Sequence, residues 1–182
     1  MMRCNSFGRS VGFAAVAAAG SAAWVICAAP FVGVRRALAL YLVGITAAYV
    51  GGLADGVRRR LRAFTLTAIV GLGLAVIAPG VRELGCGLAV VLAVGRSGFL
   101  YWRSPARAAI TEAVLVVGGL VFADGLGGSS LRALVFGVWG FFLVQSLFFL
   151  VPGQRVRSTE ARADPFEAAH ARAMALLERG FV

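Results

Sequence analysis

Few residues in this chain have the means to do chemistry, because most of its side chains are apolar. Gly95-Arg96-Ser97-Gly98 spells G-x-S-G inside a hydrophobic run, a setting in which a buried serine could attack a carbonyl. A serine nucleophile needs a base to take its proton. The single histidine, His170, lies in the polar tail, so no run supplies that base. Intramembrane proteolysis is not expected on this ground, and neither is a catalytic residue. The cysteines Cys4, Cys27 and Cys86 are isolated and form no C-x-x-C, so neither a metal site nor a bound cofactor is expected.

A second constellation is defined by depth. Arg96 lies six residues before Trp102, Glu112 four residues after Ala108, and Gln145 six residues before Val151. Thr65 and Thr67 open the run that begins at Phe64. At about 1.5 Å per residue, all five side chains fall in one layer near the same end of their helices. Ionisable residues inside hydrocarbon are costly and face a partner or a cavity. Two readings follow for this layer. In one, Arg96 attracts an anion in an inward-facing pocket and Glu112 tunes it. In the other, Arg96 and Glu112 are a structural pair, or each snorkels separately.

The elements that carry these residues are six apolar runs, at 11–31, 37–54, 64–78, 84–102, 108–123 and 131–151. Of the 182 residues 60% are hydrophobic and 14% charged, and the mean hydropathy is +0.87. A soluble domain would carry about 25% charged residues. The chain therefore reads as all-α, a polytopic six-helix transmembrane bundle, since no alternating barrel pattern appears and lipid demands internally satisfied backbones. The first run follows Arg3 and Arg9 as a signal peptide would. Its apolar core is longer than the usual ~7–15 residues, so a retained helix is expected.

All 18 basic residues are arginine, and the formal net charge is +10. No basic face is interleaved with exposed aromatics, so nucleic acid is not an expected partner; the bilayer is. The densest cluster, Arg58, Arg59, Arg60 and Arg62, is expected in a loop between the second and third spans. Arg3, Arg9, Arg103, Arg107, Arg155, Arg157 and Arg162 fall on the same side as that cluster. Arg35, Arg36, Arg82 and Arg132 fall on the other. Arginine excess marks the cytoplasm, which places both termini inside a bacterial inner membrane.

Beyond Pro152-Gly153 the chain turns polar. Asp164-Pro165-Phe166-Glu167 is a helix start, and Phe166, Ala169, Ala173, Leu176 and Leu177 recur at helical spacing up to Gly180. An amphipathic cytoplasmic helix over about 165–179 is expected, lying against the bundle or gripping a partner. Asp124 sits in A-D-G-L-G-G-S-S, a turn by composition.

From Ala37 to Val151 the order of features resembles the membrane half of fusaric-acid-resistance-type proteins, the aromatic acid exporter group. The residues that carry the likeness are V-G-G-L-A-D-G (50–56) followed by R-R-R-L-R-A-F, the span closed by Pro79, R-S-P-A-R-A-A (103–109), and F-G-V-W-G-F-F-L-V-Q-S-L-F-F (136–149). The resemblance implies efflux of small aromatic or amphipathic acids. Family members carry two six-helix halves and this sequence holds one, so a transport pathway would require a homo-oligomer. The alternative expectation is a non-catalytic accessory or scaffold subunit that holds a larger membrane complex through its spans and tail helix.

Overall fold

A computed structural model describes residues 7–54, 56–100, 105–125 and 130–150. Among these residues the chain forms six α-helices and no strand: α1 (Phe7–Val32), α2 (Val34–Leu53), α3 (Val57–Ile77), α4 (Val81–Leu100), α5 (Pro105–Gly125) and α6 (Leu131–Ser146), the last tightening into a 3₁₀ turn over Leu147–Leu150. Four of them, α1, α2, α3 and α6 with its 3₁₀ turn, are long and apolar enough to cross a membrane. Many of their large side chains face outward, as Phe31, Val76 and Ile77 do. Such a surface is stable against hydrocarbon and not against water, which makes this an all-helical membrane protein. The remaining helices, α4 and α5, each carry three charged residues, Arg82, Glu83 and Arg96 on one and Arg107, Glu112 and Asp124 on the other.

The turns are short, so successive helices run antiparallel. Gly33 alone separates α1 from α2, at φ +83° and ψ 151°, a region open essentially to glycine. Gly56 adopts nearly the same conformation before α3. The four-arginine cluster expected in a loop is in fact helical. Val57 already has helical geometry, and Arg58, Arg59, Arg60 and Arg62 occupy the first two turns of α3. The reason is local: the bend is completed at Gly56, and arginine is a good helix former. Arg60 curls back to donate from Nε to the carbonyl of Ala54 at 2.9 Å.

Helices α1, α2, α4, α5 and α6 close a ring, each packed on the next and α6 returning to α1; α3 lies outside it, against α2 and α4. The α1–α2 wall is held by Trp24, whose indole donates to the carbonyl of Ala37 at 2.9 Å, and by Tyr41, whose hydroxyl donates to the carbonyl of Ala17. Helix α3 buries only Ala63, Thr67 and Gly71, a stripe of three residues at a spacing of four. A Cβ on Gly71 would stand 2.9 Å from Val43 Cγ1, so glycine there lets α3 approach α2 closely. The expected tail helix, with Phe166, Ala169, Ala173, Leu176 and Leu177, lies outside the described residues.

Candidate functional site

Two features occupy the ring, a buried polar cluster at one end and a large cavity at the other. The cluster is centred on Arg96 of α4. Its Nε donates to Glu112 Oε1 of α5 at 2.7 Å, and its Nη2 to Glu112 Oε2. The third nitrogen, Nη1, donates to the backbone carbonyl of Gln145 at 3.0 Å. That carbonyl lies at the end of α6, where the chain tightens into the 3₁₀ turn and carbonyls lose regular helical partners. The Phe148 ring lies against the guanidinium, with Cζ 4.1 Å from its centroid. Arg96 is fully buried and Glu112 nearly so. A planar, bidentate fork of this kind is the strong form of an ion pair.

Gln145 joins α6 to α5 as well, its Nε2 donating to the carbonyl of Leu115 at 3.0 Å, while its Oε1 is buried with no partner among the described residues. Ser97 Oγ stands 3.4 Å from Glu112 Oε1. Of the five side chains expected in one layer, Arg96, Glu112 and Gln145 thus meet. Thr65 and Thr67 do not join them, because α3 lies outside the ring and packs on neither α5 nor α6. Equal depth places residues in one plane but leaves their direction open. Thr67 lies in the buried stripe facing the bundle; Thr65, about 200° away around the helix, is exposed. All three nitrogens of Arg96 donate to partners within the protein, as the structural-pair reading expects.

Beside this cluster, three residues back along α6 from Gln145, an aromatic plug packs between α1, α2 and α6. Phe13 of α1, Tyr49 of α2 and Phe142 of α6 pack with ring centroids 5.3–5.6 Å apart. On its far side opens a cavity of about 1010 Å³, walled by residues of all five ring helices, with α3 taking no part. Its walls are apolar side chains such as Leu42, Leu88, Leu134 and Phe141. The cavity's rim carries Arg82 and Asp124, paired at 3.1 Å and largely exposed, together with Ser130. Ser130 also caps α6, its hydroxyl accepting from the Ala133 amide at 3.2 Å.

No family model matches this chain, and no curated protein or solved structure matches it either. What the chain does must therefore be read from its geometry. In that geometry α4 and α5 are tied twice, by Arg96–Glu112 at one end and Arg82–Asp124 at the other. The second pair and the cavity escaped sequence reasoning, although a signal for the pair existed. Arg82 near the start of α4 and Asp124 near the end of α5 share a depth by the same argument that relates Arg96 to Glu112.

Proposed function

We propose that this protein is a six-span module of the bacterial inner membrane, transport-type and efflux-like, with both termini cytoplasmic and the Arg82 end facing out. The observation that carries this reading is the 1010 Å³ cavity. Its size is at the upper end of the ~300–1,000 Å³ typical of small-molecule sites. The cavity sits within the helix ring and reaches inward as far as Phe142 of the aromatic plug, an arrangement that fits an outward-facing state of a carrier. Transport then demands a second state in which the plug and the ion-pair layer part. Pairing of the buried Arg96 and Glu112 lets α4 and α5 cross the bilayer despite those charges, because a paired charge avoids most of the cost of an isolated one.

The test is cysteine accessibility from the two faces. With Cys4 and Cys27 replaced by serine, Cys86 in the cavity wall is expected to react with an impermeant maleimide from the outside. A cysteine introduced by Ser97→Cys is expected to react from the cytoplasmic side in a fraction of molecules. Labelling confined to Cys86 under all conditions rules out alternating access and favours the second reading, an accessory subunit. That reading draws on the outward apolar face of α3, where Leu66, Ile69, Val76 and Ile77 are exposed. Native mass in mild detergent separates the two. A homo-oligomer without other chains supports the module, and stoichiometric larger subunits support the accessory role.

A further inference from the structure

The cavity's shape and charge pattern point to a ligand class. We infer that it takes a single-chain zwitterionic amphiphile, the chain filling the cavity and the head group seated on Arg82 and Asp124; this rests on the cavity being the binding site proposed above. The depth follows from the lining. On α2 the wall runs from Val34 to Thr46 and on α6 from Ser130 to Phe142. Both stretches are twelve residue steps, or about 18 Å at about 1.5 Å each. A cavity that deep and apolar matches an extended hydrocarbon chain.

Charge decides where the head group sits. The deep walls hold no charged side chain among the described residues, so an ion carried inside would be buried unpaired, which is strongly unfavourable. The rim holds one cation and one anion 3.1 Å apart, with side chains 76% and 61% exposed. Arginine has five N–H donors and a carboxylate about four acceptor sites, so each keeps capacity beyond their mutual bond. A head group of one sign gains from one partner and is repelled by the other beside it. A head group with both charges meets both, phosphate on Arg82 and ammonium on Asp124.

Among the described residues two cysteines are exposed, and they provide the assay. Cys86 lines the cavity and Cys27 does not, and each lies five residues from the Arg82 end of its helix. They therefore sit at the same depth, and Cys27 controls for disturbance of the bilayer. The protein carrying Cys4→Ser, in liposomes of a double-chain anionic lipid, is labelled with an impermeant maleimide while single-chain amphiphiles are added. Lysophosphatidylethanolamine is expected to slow Cys86 labelling at least about tenfold and leave Cys27 unchanged. Protection should rise with chain length until the chain reaches about 18 Å. It should weaken in the Arg82→Gln/Asp124→Asn double variant.

Equal protection by an alkyl sulfate of the same length, insensitive to the double variant, overturns the head-group assignment. Labelling of Cys86 that no amphiphile slows overturns the ligand class but leaves the cavity as a site. Absence of Cys86 labelling in every condition removes the accessible cavity, and with it both this inference and the reading beneath it.

Discussion

Arg96 and Glu112, on neighbouring helices α4 and α5, form a bidentate ion pair with the guanidinium wholly excluded from solvent. Removing one member leaves the other charged and buried without its partner, which typically costs about 3–5 kcal/mol. Replacing both with apolar residues of similar volume is often neutral. Arg96→Met or Glu112→Leu alone should strongly lower the unfolding midpoint in detergent, and the double variant should recover most of that loss. Simple additivity of the two losses would show that the pair is not coupled.

The Arg82–Asp124 pair has similar chemistry in a different setting. Its side chains are 76% and 61% exposed, and pairs of that kind contribute about 0–1 kcal/mol. Arg82→Gln should shift the unfolding midpoint little, and less still as salt is raised. A loss as large as that of Arg96→Met contradicts the picture of a water-facing rim.

Glycine substitutions should divide by backbone conformation. Gly33 and Gly56 have positive φ, and a Cβ at either meets no atom within 4 Å, so any cost of alanine is backbone strain. Gly33→Ala and Gly56→Ala are expected to destabilise by about 1–3 kcal/mol. Gly12 and Gly73 are helical and equally open. Alanine at those positions should stabilise by about 0.5–1 kcal/mol. Thermal unfolding of the four variants reads the contrast directly.

Two threonines of α3 provide a test of its placement outside the ring. Thr65 is exposed and Thr67 buried against the bundle. Thr65→Leu should change stability by no more than about 0.5 kcal/mol, whereas Thr67→Leu overfills a close helix contact and should cost about 1–3 kcal/mol. Equal effects would mean that α3 is oriented differently.

Some of this protein was legible in its residues alone. Six apolar runs separated by Gly, Pro and Arg give helices, since a chain without water must satisfy its backbone within each segment. The depth of Arg96, Glu112 and Gln145 followed from counting residues at a fixed rise, and the structure joins those three. Counting did not find the arginines of α3 inside a helix, because capping and turn geometry at Gly56 set where a helix begins, not hydrophobicity. Nor did it exclude Thr65, since rise fixes depth while direction depends on which helices are neighbours.

Only tertiary structure decided the rest. Phe13, Tyr49 and Phe142 are distant in sequence and ordinary as core aromatics, yet together they form one packed plug between α1, α2 and α6. The cavity belongs to no segment, being the space left when five helices close and α3 stays outside. Local residue chemistry determines each helix and its depth, because those depend on the chain's own backbone and its solvent. Helix neighbours and the volume between them depend on side chains from separate segments packing against each other, which no single stretch contains.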